Sequence, residues 1–115
     1  MKLFAAMKKM RDFERLHLPF FQSLIDFDIL IEIGYAEEQK RPLTLKRLLL
    51  LNVSSRTTVS RRLARLVEQG IVTRRKNTDD QRSSFLTISP SSLKLFTRYG
   101  SVLTSVFSVP FLAAG

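Results

Sequence analysis

Residues 55–70, SRTTVSRRLARLVEQG, are the stretch that decides the fold of this 115-residue chain. Apolar side chains recur in it at intervals of three and four residues, which predicts one buried stripe along a helix. Ser54 or Ser55 can cap its first turn, and Gly70 supplies the left-handed stop expected after its last turn. The stripe consists of Val59, Leu63, Leu66 and Val67, and the remaining face or its edges carry Arg56, Ser60, Arg61, Arg62 and Arg65. Because Glu68 is the only acid in the stretch, we predict a helix with a basic outer face.

A shorter helix precedes this one. Thr44 is a suitable N-cap for a helix over Leu45–Leu51, which we expect to end near Asn52. Two helices joined by three or four residues, the second rich in arginine, match the helix-turn-helix geometry that binds DNA. In that geometry the first helix crosses the DNA backbone, and the N-terminal part of the second enters the major groove.

The pattern of apolar residues changes after Gly70. Ile71–Arg75 and Ser84–Ile88 interleave β-branched or aromatic residues with polar ones, which is typical of short strands. Lys76–Ser83, between them, contains asparagine, threonine and two aspartates, which favour turns. The sequence therefore predicts a hairpin beside the basic helix, where a wing would meet the DNA backbone or the minor groove.

Three further helices are predicted, over Lys2–His17, Pro19–Glu38 and Pro90–Ser108. The first has an apolar stripe of Leu3, Met7, Met10 and Phe13, and the second one of Phe20, Phe21, Leu24, Phe27, Ile31 and Tyr35. The last has two stripes, one of Leu93, Phe96, Gly100, Leu103 and Phe107 and one of Leu95, Tyr99, Val102, Val106 and Val109. One of these two can cover the domain's own core, so the other predicts a partner.

The formal net charge of +9 is concentrated in the middle of the chain. Between Arg41 and Arg82 eleven lysines and arginines face three acids, whereas Leu16–Gln39 holds five acids and neither lysine nor arginine. This concentration predicts a polyanionic partner, and with the helix-turn-helix it predicts double-stranded DNA.

The composition argues against several other classes of protein. There is no cysteine, His17 is the only histidine and the four glycines stand alone, so we expect no enzyme, no metal site and no cofactor. The apolar runs Leu3–Met7 and Val102–Gly115 are too short for a signal peptide and a membrane span, which favours a cytoplasmic, nucleoid-associated protein. Any small-molecule effector is left open.

Two segments resemble one family. TTVSRRLARLVEQGIVTRR, residues 57–75, is similar to the recognition helix, glycine stop and first wing strand of MarR-type transcriptional regulators. TDDQRSSFLTIS, residues 78–89, resembles their wing. The resemblance implies that Arg82 reaches DNA from the wing, that Asp80 orients it or a neighbouring arginine, and that the N- and C-terminal helices form a dimer. It also offers a ligand cavity lined by Phe20, Phe21 and Phe27 as an alternative to their membership of the core.

The predicted fold class is mainly α with a small β-hairpin (α+β), a winged helix-turn-helix with N- and C-terminal dimerisation helices. It forms a single domain, residues 1–115, with N-terminal helices over 1–38, the winged core over 44–89 and the C-terminal dimerisation helix over 90–112. We expect residues 55–61 to contact bases, and Arg62 and Arg65 to contact phosphates. The full predicted DNA-binding set is Thr44, Lys46, Ser55, Arg56, Thr57, Thr58, Ser60, Arg61, Arg62, Arg65, Arg74, Arg75, Lys76, Asp80 and Arg82.

Three functions fit these features. The first is a homodimeric transcription regulator, a repressor in the first instance, that binds a pseudo-palindromic operator. The second is an architectural or replication-associated protein that contacts only the DNA backbone. The third is a winged-helix module that binds another polypeptide.

Overall fold

The computed structural model describes residues 3–18, 23–77 and 83–107. For residues 106 and 107 it describes the backbone alone. The helices are α1 (Leu3–His17), α2 (Leu24–Glu38), α3 (Leu45–Leu50), α4 (Arg56–Glu68) and α5 (Pro90–Phe107), and the strands are β1 (Val72–Lys76) and β2 (Ser84–Ile88). The predicted fold class, mainly helical with one antiparallel hairpin in this order, is confirmed. None of the helices in the described ranges is long and apolar enough to cross a membrane.

The chain divides into two compact units, Gln22–Pro90 and a unit made of Met1–Phe21 and Ser91–Gly115. Helix α2, which the sequence groups with α1, belongs to the first unit and packs there against α3, α4 and β2. The core of this unit is aliphatic and includes Ile29, Leu30, Ile33, Leu43, Leu48, Val59, Leu63, Leu66, Ile71, Val72, Leu86 and Ile88. The stripe predicted for α4 therefore forms a central part of the core.

The predicted start and apolar face of α2 were wrong. The helix begins at Leu24, after Ser23, whose Oγ accepts a hydrogen bond from the backbone N–H of Asp26; Pro19, Phe20 and Phe21 lie outside the described residues. Leu24, Ile31 and Tyr35 are exposed and Phe27 is half-buried, whereas Ile29, Leu30 and Ile33 are buried on another side. Helix α2 carries apolar residues on several of its sides, so their spacing alone could not identify the buried side. The buried side also carries a charged residue, Asp26.

The hairpin has a regular antiparallel register in which Val72 lies opposite Ile88 and Lys76 opposite Ser84. The hydroxyls of Thr73 and Thr87 are 2.6 Å apart across the two strands. At the open end of the described ladder, Asn77 Nδ2 donates to Ser83 Oγ at 3.0 Å. Leu86 N–H donates to the carbonyl of Leu43, and Thr44 forms a one-residue bridge to Phe85. The hairpin is thereby tied to the residues that begin α3.

In the second unit, α1 buries Ala6 and Met10 against Tyr99 and Val102 of α5. Leu3 and Met7, which the sequence placed in the apolar stripe of α1, are exposed, so the buried side was predicted only in part. The Tyr99 hydroxyl donates to Glu14 Oε2 at 3.0 Å, and burial together with Glu14 raises the pKa of Tyr99 to about 12. Of the two stripes predicted on α5, the one with Tyr99 and Val102 packs on α1. The other leaves Leu93 and Leu103 exposed.

Gly70 ends α4 as predicted, with φ of +76°. Ile71 N–H donates to the Leu66 carbonyl and Gly70 N–H to the Val67 carbonyl, the two hydrogen bonds of a Schellman motif. Lys40 takes the same position after α2 with φ of +58°. Asn52 follows α3 with φ of +54°, as expected for the end of that helix.

We expect Gly70→Ala to lower the free energy of unfolding by about 1 kcal/mol, because a side chain disfavours the left-handed conformation. An added Cβ would meet no atom within 4 Å, so the cost is that of the backbone alone. Urea unfolding measures it. Lys40→Gly is the matched opposite change and should not destabilise the protein. A Gly70→Ala variant as stable as the wild type would contradict this account of the helix end.

Candidate nucleic-acid interface

The outer face of α4 presents a row of polar side chains opposite its buried stripe. Thr57, Arg61 and Arg65 follow one another at intervals of four residues, and all three are exposed. Arg56 is exposed beside the start of this row. From Thr57 to Arg65 the row rises about 12 Å along the helix axis. The diameter of an α-helix with its side chains, about 10–12 Å, fits the DNA major groove, which is about 12 Å wide.

The cap of α4 engages two of the hydroxyls predicted to contact bases. Ser55 Oγ accepts a hydrogen bond from Thr58 N–H at 3.2 Å and donates one to Thr58 Oγ1 at 2.9 Å. Ser60 is half-buried. Ser55 and Thr58 therefore fix the start of the helix, and the side chains most open to a ligand at this end are Arg56, Thr57 and Arg61.

Arg62 is turned into the protein. Its NH1 atom lies 3.4 Å from Asp26 Oδ2 of α2, and the two side chains are 23% and 4% exposed. Its Nε atom is buried without a hydrogen-bond partner. This ion pair gives Arg62 a structural role. Arg62 is therefore no longer among the residues that we propose to bind phosphate. The sequence holds a hint of this, because Arg62 is three residues after Val59 and four before Leu66, on the edge of the buried stripe.

The hairpin carries positive charge on both of its faces. Arg74 lies opposite Leu86, Arg75 opposite Phe85 and Lys76 opposite Ser84, so Arg75 points to the other side from its two neighbours. All three basic residues are exposed. Asp80 and Arg82, the residues that the resemblance places at the wing tip, lie outside the described residues.

Helix α3 adds two neighbouring basic residues, of which only one was predicted from the sequence. Thr44 caps the helix, its Oγ1 accepting from Arg47 N–H at 3.3 Å, and is half-buried. Lys46 and Arg47 are both exposed. Arg47 was not among the predicted residues, although its position next to Lys46 in a short helix places both on the outer side.

The charges of this surface are not neutralised within the described part of the chain. Among the described residues of the unit Gln22–Pro90, Arg62 is the only base that forms an ion pair within 4.0 Å. On α3, α4 and β1, the exposed basic residues without such a pair are Lys46, Arg47, Arg56, Arg61, Arg65, Arg74, Arg75 and Lys76. The described ranges contain no group of three or more histidine, aspartate or glutamate side chains that could hold a metal ion. The site is thus a basic surface with hydrogen-bond donors at its centre.

A short helix, a turn, an exposed basic helix and a basic hairpin together define a winged helix-turn-helix protein. A model of the MarR family matches residues 23–83, which are more than half of the chain. The chain therefore belongs to the MarR family, as the two segments of similar sequence predicted.

Solved structures have a similar fold. A transcriptional regulator from Thermotoga maritima is 24% identical, with a TM-score of 0.66 over 84% of this chain, and this chain covers 65% of that regulator's length. S. aureus MepR in complex with DNA is 20% identical, with a TM-score of 0.67 over 90% of this chain and 83% of MepR. A mutant MarR from E. coli in complex with operator DNA is 18% identical, with a TM-score of 0.60 over 90% of this chain and 73% of MarR. None of the curated protein sequences that were compared matches the chain.

Proposed function

We propose that this protein is a transcriptional regulator that binds double-stranded DNA in a sequence-specific way. The observation that carries the proposal is the row Thr57, Arg61 and Arg65 on the outer face of α4. In a helix-turn-helix, the side chains near the start of this helix meet the edges of the bases. Arg56, Thr57 and Arg61 are the base-contacting residues in this proposal, and Ser60 lies at their edge.

In the same proposal, the basic side chains around these residues bind phosphates of the DNA backbone. Arg65 follows one turn after Arg61, Lys46 lies on α3, and Arg74, Arg75 and Lys76 lie on the hairpin. The capping residues Thr44, Ser55 and Thr58 hold the helix ends that carry these side chains. Arg82 and Asp80 are assigned to the wing tip by the resemblance alone.

The protein acts as a homodimer on a pseudo-palindromic operator, and as a repressor. Support for two copies comes from α5, where Tyr99 and Val102 pack on α1 while Leu93 and Leu103 of the other stripe remain exposed. Two recognition helices would then enter major grooves about one helical turn apart. The related MepR and MarR structures each contain DNA, and MarR is bound to its operator. We place the protein in the cytoplasm on the nucleoid, as a binding protein without enzymatic activity or cofactor, its effector unassigned.

A second candidate keeps the fold and lacks base recognition. It is favoured by the cap of α4, where Ser55 and Thr58 are hydrogen-bonded to each other and leave fewer free donors at the start of the helix. Such a protein would be architectural, with Arg61 holding a phosphate like Arg65.

Two matched arginine substitutions distinguish the candidates. We expect Arg61→Ala to reduce the preference for one base pair in each half-site by roughly tenfold, within the 1–3 kcal/mol that a bidentate arginine–guanine contact contributes. We expect Arg65→Ala to weaken binding to all duplexes alike. Competition titrations on a panel of single-base variants of the selected duplex give both quantities. If Arg61→Ala also weakens all duplexes equally, the architectural candidate is correct.

A further inference from the structure

Helix α2 contacts both of the elements that would meet DNA. It packs against α4 and against β2 within the unit Gln22–Pro90. Its buried side is mostly aliphatic, through Ile29, Leu30 and Ile33. Apolar contact of this kind is non-directional, so it leaves the angle and register between packed elements weakly determined.

Two carboxylates bracket that aliphatic row. Asp26 lies in the first turn of α2 and Glu37 in the last. Eleven residues separate them, which is close to three full turns, so both project from the same side of the helix, about 16 Å apart along its axis. Both therefore face the elements that pack on α2 and not the solvent side.

Asp26 holds the recognition helix. Its carboxylate is 4% exposed and lies 3.4 Å from Arg62 NH1, and Arg62 comes directly after the exposed Arg61. The pair spans 36 residues of sequence and joins the start of α2 to the middle of α4. An ion pair that is largely removed from solvent permits fewer arrangements than apolar contact does, so it restrains where α4 lies along α2.

Glu37 holds the base of the wing. Its Oε1 accepts a hydrogen bond of 2.7 Å from the backbone N–H of Ile88, the last residue of β2. Ile88 lies opposite Val72, where the hairpin leaves the end of α4. The bond joins a side chain to the backbone, so it fixes the strand itself and does not depend on the Ile88 side chain.

We infer that α2 sets the position of the recognition helix relative to the wing, with Asp26 and Glu37 as its two positioning residues. This inference rests on the proposed function, since the distance between helix and wing matters only if both contact one duplex. Neither carboxylate touches DNA. Each acts through a residue that it holds, Asp26 through Arg62 and Glu37 through Ile88. Sequence specificity should therefore depend on two acids on the protein's most acidic helix.

The test compares each acid with a neighbouring acid that holds neither element. Asp26→Asn is paired with Asp28→Asn, and Glu37→Ala with Glu38→Ala; Asp28 and Glu38 are exposed. Each substitution removes one negative charge, which strengthens binding to any duplex. We therefore measure the ratio of the affinity for a duplex selected by the wild type to that for a scrambled duplex of the same composition. This ratio cancels the effect of charge.

We expect Asp26→Asn and Glu37→Ala to lower the ratio roughly tenfold, the discrimination of about one misplaced base contact. Asp28→Asn and Glu38→Ala should leave it within about twofold of the wild type, as expected of exposed residues. All measurements are made at a temperature at which circular dichroism shows the variant folded. If Asp26→Asn does not fold, the pair at 37 and 38 decides.

Two results overturn the inference, and they are distinguishable. If the wild type prefers the selected duplex and the variants at 26 and 37 keep that preference, α2 has no positioning role although the proposed function stands. If the wild type binds both duplexes equally, the proposed function fails and this inference fails with it.

Discussion

The affinity of this protein for DNA should fall by about five orders of magnitude between about 50 and about 200 mM monovalent salt. Five exposed bases per chain are assigned to phosphates: Lys46, Arg65, Arg74, Arg75 and Lys76. In a dimer they neutralise about ten phosphates, which predicts a slope of about −9 in a plot of log affinity against log salt concentration. Fluorescence anisotropy with a labelled duplex at several salt concentrations measures this slope.

One arginine variant extends this experiment to the number of chains bound. Arg75→Ala should make the slope about two units less steep if two copies bind one duplex, and about one unit if a single copy binds. Lys9→Ala is the control, because Lys9 is an exposed basic residue of α1 that is not among those assigned to phosphates. A wild-type slope shallower than about −2 would show that the basic surface does not neutralise phosphates.

A substitution that breaks the ion pair between Arg62 and Asp26 should lower the free energy of unfolding by more than Gly70→Ala does. We expect Arg62→Met to lower the free energy of unfolding by about 3 kcal/mol, because it leaves a buried carboxylate without its base. The value is at the lower end for buried pairs, since the Arg62 side chain is 23% exposed. Urea unfolding gives the free energy, with coincident transitions by fluorescence and circular dichroism as the check on two-state behaviour.

The matched double variant tests the reason for that loss. Asp26→Leu together with Arg62→Met replaces the pair by apolar side chains and should recover most of the stability. It should still lose the preference for the selected duplex, because apolar contact does not fix the position of α4. If the cost of the double variant is the sum of the single costs, the two side chains are not energetically coupled.

The parts of the fold that follow from local chemistry were predicted from the sequence. Helix α4 has a single apolar stripe, a serine cap and a glycine at a position that requires positive φ. Each of these features indicates one local structure. The two strands of the hairpin were predicted from their β-branched and aromatic residues, and the structure differs from the prediction by one residue at each end of β1.

The parts that depend on long-range contacts were not predicted. Helix α2 is apolar on several sides, and its buried side is decided by packing against α4 and β2. Arg62 has the same chemistry as Arg61, and its place on the edge of the buried stripe does not show that its partner is Asp26, 36 residues earlier. The Ser55–Thr58 hydrogen bond likewise depends on side-chain geometry that spacing does not specify.

Selection of bound sequences from random duplex, carried out with the intact protein at two salt concentrations, tests the central claim most directly. The central claim is that two copies of the protein bind one operator and that the outer face of α4 in each copy contacts bases. It predicts enrichment of an inverted repeat whose half-sites are centred about 10 base pairs apart, with the same sequence recovered at both salt concentrations. Recovery of duplexes without any enriched sequence would contradict it.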